Sequence, residues 1–66
     1  MDRLDLLRHI RLVIKTYPSL EDDCLSLLEL CMDELSEGDF PRTCYERAFN
    51  SINDLIEENG YKPINI

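Results

Sequence analysis

The chain has 66 residues, with 14 acidic and seven basic side chains and a net charge of −7 at neutral pH. A chain of this length forms one domain, residues 1–66, with little room for a substrate cavity, so we expect no catalytic activity. The negative charge argues against direct binding to nucleic acid or anionic lipid, and it favours a protein partner with a basic surface.

The cysteine content points to a reducing compartment. The three cysteines are odd in number, unlike the paired framework of a small secreted domain. Cys24 and Cys31 would lie about 10 Å apart along one helix, too far for a disulfide, although a bridge from Cys44 to either stays open. The N-terminus lacks a basic leader, and no stretch approaches the ~20 apolar residues of a membrane span. We therefore expect a cytoplasmic protein with buried free thiols.

The first predicted helix covers residues 2–16 and ends before Pro18, which disfavours helix at the residue preceding it. Its apolar residues recur at spacings of three and four, which places them on one stripe: Leu6, Leu7, Ile10, Val13, Ile14 and Tyr17. Leu4 and Leu12 fall outside this stripe, near a row of basic residues formed by Arg8, Arg11 and Lys15. Leu4 and Leu12 are therefore candidates for self-association.

The second predicted helix covers residues 20–37. Ser19 is a favoured N-cap residue, and the three acids that follow at residues 21–23 suit the positive end of the helix dipole. One face is apolar and contains Leu20, Cys24, Leu27, Leu28, Cys31 and Leu35, and we expect Leu25 and Met32 to widen it. Gly38 is placed to end the helix.

The third predicted helix covers residues 44–58. Thr43 and Glu46 match the capping-box pattern at its start. A wide apolar stripe follows, made of Cys44, Tyr45, Ala48, Phe49, Ile52, Leu55 and Ile56. Gly60 is expected as the residue after the helix, with Tyr61 packing back on Ile56. The pattern of the apolar tail, residues 64–66, predicts neither its secondary structure nor its position.

Three amphipathic helices joined by short loops bury their stripes best against one another. The sequence therefore predicts an all-α domain, a small antiparallel three-helix bundle. Because each stripe could also pack across a two-fold axis, a homodimer is the alternative arrangement.

The acidic residues are concentrated in one segment. Residues 19–39 contain eight acidic side chains and no Lys or Arg. On the second helix most of these carboxylates lie outside the apolar stripe, as does one leucine. This face predicts a partner-binding surface, for which the candidate residues are Glu29, Leu30, Asp33, Glu34 and Glu37. The simpler interpretation, a solvated face that keeps a small protein dispersed, stays open.

Motifs for catalysis or metal binding are not apparent. His9 is the only histidine, and its spacing from Asp5 indicates a local surface pair. A zinc site usually draws four ligands from closely spaced pairs, and the cysteines do not supply them. We expect no catalytic residue, no metal and no cofactor.

In length and composition the chain resembles small acidic helical proteins encoded by phages, plasmids and bacterial accessory regions, many of which modulate a host protein. No motif carries this resemblance, so it implies no site residues. The expected function is a protein-binding module with a regulatory or inhibitory role. One alternative is a nucleic-acid mimic or transcription modulator that engages a DNA-binding protein, and another is a structural homodimer.

Overall fold

Three α-helices pack around one apolar core in the computed structural model, which describes residues 1–64. Helix α1 spans Arg3–Thr16, α2 spans Glu21–Ser36 and α3 spans Pro41–Glu58, and a turn of 3₁₀ helix at Pro18–Leu20 joins α1 to α2. This part of the chain contains no strand. The all-α class is confirmed, whereas the antiparallel arrangement and the homodimer stay predictions.

All three helices contribute to the core. Its ten most buried apolar side chains are Leu6, Ile10, Val13, Leu20, Cys24, Cys31, Cys44, Ala48, Ile52 and Ile56. The three cysteines are buried free thiols, as expected. Leu25 was expected to widen the apolar face of α2 but is 46% exposed, because it lies at the edge of the stripe that the other helices cover.

The starts of α2 and α3 differ from the sequence-based expectation. Ser19 does not cap α2, because the chain already turns in the 3₁₀ segment and Leu20 takes the N-cap position without a side-chain hydrogen bond. Thr43 does not cap α3, which begins at Pro41. Proline suits the first turn of a helix, since its missing N–H has no partner there in any case.

The ends of α2 and α3 carry the two glycines expected there, whereas the packing of the Tyr61 side chain on Ile56 stays a prediction. Both helices close in Schellman motifs, with Gly38 at φ +99° and Gly60 at φ +78° in the left-handed region. The amide of Asp39 donates to the carbonyl of Glu34 after α2, and the amide of Tyr61 donates to the carbonyl of Ile56 after α3. Glycine favours these positions because it has no Cβ to clash.

The segment after α3 returns to the end of α1. The rings of Tyr17 and Tyr61 stack with centroids 4.4 Å apart, and the Tyr17 hydroxyl donates to the carbonyl of Lys62 at 2.9 Å. Ile64, the first residue of the apolar tail, packs against the core. Asn65 and Ile66 lie outside the described residues.

Across residues 1–64, no helix combines the length and the apolar character needed to cross a membrane.

Candidate functional site

The outer face of α2 carries a row of acidic side chains. Glu29, Asp33 and Glu37 are exposed and follow one another at intervals of four residues. A spacing of four advances about 6 Å along a helix and returns to nearly the same side, so the row is about 12 Å long. Within residues 1–64 none of these three carboxylates forms an ion pair. Their charge is therefore directed to solvent.

Leu30 lies beside this row, three residues before Asp33 on the same side of the helix. It is 55% exposed, which confirms that it stands outside the apolar stripe. We call Glu29, Leu30, Asp33 and Glu37 the acidic face. It combines an apolar side chain with carboxylates on a regular helix.

Glu34 is the member of the predicted surface that behaves differently. Its side chain is only 19% exposed and pairs with the guanidinium of Arg47 on α3. The same guanidinium nitrogen lies 3.9 Å from a carboxylate oxygen of Asp39, in the connection between α2 and α3. Glu34 thus holds α2 against α3 and adds little free charge to the outer face.

A thiol adjoins this ion pair. One ligand atom each from Glu34, Asp39 and Cys44 lies within 4.8 Å of the others, a set that the sequence pattern does not predict. Burial, and then the charge of Asp39, raise the pKa of the Cys44 thiol, so it stays protonated at neutral pH. Arg47 already balances part of the negative charge. The set is accounted for as an ion pair packed on a buried thiol.

His9 is not the surface residue that its spacing from Asp5 suggested. It is fully buried, and its ring lies 4.3 Å from that of Phe49, measured between centroids. His9 falls one turn from Leu6 and Val13 on the core stripe, and this position outweighs the local pairing with Asp5. The surface pair was therefore a wrong prediction.

The polar atoms around His9 are poorly satisfied. Within residues 1–64, neither ring nitrogen of His9 has a hydrogen-bond partner by distance and angle, and neither has the amide oxygen of Asn53. Burial lowers the pKa of His9 from its ordinary 6.5, and the nearby Asn53 side chain opposes this change in part. A neutral, enclosed imidazole is placed for packing, since it cannot exchange protons readily with a bound molecule.

The outer face of α1 has the opposite charge to that of α2. Arg8, Arg11 and Lys15 are exposed, and together with Leu12 they line a shallow open groove. Leu12 is 38% exposed and Leu4 is 55% exposed, so both stand outside the core as predicted. None of the three basic side chains forms an ion pair within the described part of the chain. We call Leu4, Arg8, Arg11, Leu12 and Lys15 the basic face.

A second open groove runs between α2 and α3 and extends the negative surface. Its charged residues are Asp23 on α2 and Asp54 and Glu58 on α3, and Leu27 and Leu55 also line it. The sequence does not predict this groove, because the pairing of two helix edges cannot be read from either helix alone.

Comparisons with known proteins add no relatives. No family model matches the chain, and neither a curated protein nor a solved structure gives a significant match.

Proposed function

We propose that this chain is a small protein-binding module, an antiparallel helical bundle of the reducing cytoplasm that regulates or inhibits its partner without catalysis. The acidic face of α2 forms the contact, and the partner presents a basic surface. The observation that carries this proposal is the exposure of Leu30 at 55% beside three carboxylates that have no ion pair within residues 1–64.

Charge and apolar area would act differently in this contact. Exposed carboxylates attract a basic surface from a distance and raise the association rate, but rim ion pairs add little affinity. A buried aliphatic side chain supplies affinity, because removing its surface from water is favourable. Leu30 is placed to be such an anchor, and Glu29, Asp33 and Glu37 would select a basic partner around it.

The alternative role of the acidic face is solubility. Carboxylates alone would keep a small chain dispersed, and the net charge of −7 already does so. Leu30 does not serve that purpose, because an exposed leucine next to the row reduces the hydration of the face. Single exposed leucines are common on protein surfaces, so the discriminating evidence has to come from substitution.

The test is affinity capture from the native cell with matched variants. Leu30→Asp and the double variant Asp33→Lys/Glu37→Lys should each reduce the captured partner at least about tenfold, because they remove the anchor or reverse the charge. Glu34 is left intact, since its substitution would also break the pair with Arg47. Circular dichroism should show an unchanged helical signal in both variants.

A control separates the face from the net charge. The double variant Glu57→Lys/Glu58→Lys changes the charge by the same amount on exposed positions of α3 and should capture the partner normally. Equal loss in the control would show that only net charge matters, and full capture by the α2 variants would reject the acidic face. Displacement of the partner by duplex DNA would favour the nucleic-acid mimic over the ordinary module.

A further inference from the structure

We propose that a second copy of this chain covers the acidic face, with the basic face of α1 as the complementary surface. The contact pairs Arg8, Arg11 and Lys15 of one copy with Glu29, Asp33 and Glu37 of the other. This inference goes beyond the proposed function, because it assigns a role to α1 and names a partner.

The two faces match in length as well as in charge. The acidic row advances eight residues from Glu29 to Glu37, and the basic row advances seven residues from Arg8 to Lys15, which corresponds to about 12 Å and about 10 Å along a helix. Each face also holds partly exposed leucine, Leu30 at 55% on α2 and Leu12 at 38% on α1. Two helices that meet along these rows would bury leucines between rows of opposite charge.

Neither row is engaged in an ion pair within the described part of the chain. Arg42 pairs with Glu46, and Arg47 pairs with Glu34 and Asp39. The charges that lack an ion pair within residues 1–64 include the whole of both rows. No residue of one row forms an ion pair with the other row within the described part of the chain, so both rows can pair with those of a second copy.

The net charge does not prevent this association. Two molecules of charge −7 repel each other, but at physiological salt charges are screened beyond about 8 Å. The contact is local and brings opposite charges together. We expect a weak, salt-sensitive dimer, because exposed ion pairs contribute little each and the leucines bury a small area.

A dimer of this kind would regulate the site. If the acidic face binds a basic partner, as proposed above, a second copy competes for the same carboxylates, and the partner has to displace it. This consequence rests on the proposed function, whereas the dimer itself does not.

The experiment is a charge exchange between two variants of the full chain, measured by sedimentation and native mass spectrometry at an ionic strength of about 0.15 M, where net repulsion is screened. One variant carries Arg8→Glu/Arg11→Glu and the other carries Glu29→Lys/Asp33→Lys. Each alone should dimerise roughly tenfold more weakly than the unaltered chain, because like charges then face each other. An equimolar mixture should associate again as a heterodimer. In it, the α1 row made acidic in one variant faces the α2 row made basic in the other.

Net attraction cannot produce this recovery. The reversals change the charge from −7 to −11 in one variant and to −3 in the other, so the two still repel at long range. Glu57→Lys/Glu58→Lys is the control and should dimerise like the unaltered chain. A monomeric unaltered chain at 100 micromolar, or a mixture that stays monomeric, would overturn the proposal. Neither result depends on capture of another protein.

Discussion

Residues 19–39 supply acidic side chains to two regions of the molecule that differ in physical character. At the end of α2, Glu34 is 19% exposed and is paired with Arg47, so its charge is used inside the fold. On the outer face of the same helix, Asp33 is exposed and has no ion pair within residues 1–64. Adjacent acids in one sequence therefore have separate roles, one in holding helices together and one directed to solvent.

The same contrast appears on α1 between two neighbours in sequence. Arg8 is exposed in the basic face, whereas His9 is fully buried against Phe49. A rotation of about 100° per residue takes the chain from solvent to core in one step. Neither net charge nor pairing with a sequence neighbour predicts how exposed Arg8 and His9 are. The position of each residue on the helix relative to the core predicts both.

The largest expected effect concerns His9, for which the surface and buried interpretations give opposite results. His9→Ala should lower the free energy of unfolding by about 2 kcal/mol, because it leaves a cavity beside Phe49. Asp5→Ala should change it by less than about 0.5 kcal/mol, as for an exposed side chain. Urea denaturation followed by circular dichroism measures both. If both substitutions changed the free energy of unfolding by the same small amount, His9 would instead be an exposed residue paired with Asp5.

The pH dependence of stability sharpens the same contrast. Burial lowers the pKa of His9 in the folded chain below 6.5, so the unfolded chain binds the proton more tightly. The contribution of His9 to the free energy of unfolding is therefore constant above pH 6.5 and is lost as the pH falls below that value. Between pH 7 and 5.5 the contribution of His9 should therefore make the free energy of unfolding fall.

His9→Leu is the control for this titration, since leucine has similar bulk and no proton to bind. The difference between the unaltered chain and His9→Leu, taken at each pH by urea denaturation, isolates the imidazole from all other groups. A difference that does not vary from pH 7 to 5.5 would contradict a lowered pKa.

Patterns within one helix predicted much of this fold. The three stripes gave the helices and most of the core, because apolar spacing is a local property. The glycines at 38 and 60 gave both helix ends, since only the left-handed conformation closes a Schellman motif there. The predicted N-caps of α2 and α3, Ser19 and Thr43, were wrong. Helical turns already begin at Pro18 and Pro41, before those residues.

Contacts between helices were not predictable in the same way. The row of Glu29, Asp33 and Glu37 can be read from α2 alone, and the structure leaves it exposed. The pairing of Glu34 with Arg47 could not, because it depends on which edge of α2 meets α3. The enclosure of His9 required the position of Phe49 on another helix. Local periodicity thus identified the candidate face but not which of its charges were already engaged.

The smallest expected effect compares two arginines on α3 that both form ion pairs. Arg47 meets Glu34, which is 19% exposed, and Arg42 meets Glu46, which is 52% exposed, with an Nε–Oε1 distance of 3.3 Å. Arg47→Ala should cost about 0.5–1 kcal/mol because it leaves a partly buried carboxylate unpaired, and Arg42→Ala less than about 0.3 kcal/mol.

A double-mutant cycle isolates each pair from the other effects of truncating arginine. The cycle of Arg47→Ala with Glu34→Gln should give a larger coupling energy than that of Arg42→Ala with Glu46→Gln. Raising the salt concentration should reduce the Arg42 coupling first, because its partners are the more hydrated. If both couplings were equal and equally sensitive to salt, Glu34 would belong with the free charges of the acidic face. The partner-capture experiment would then need Glu34 among its reversed residues.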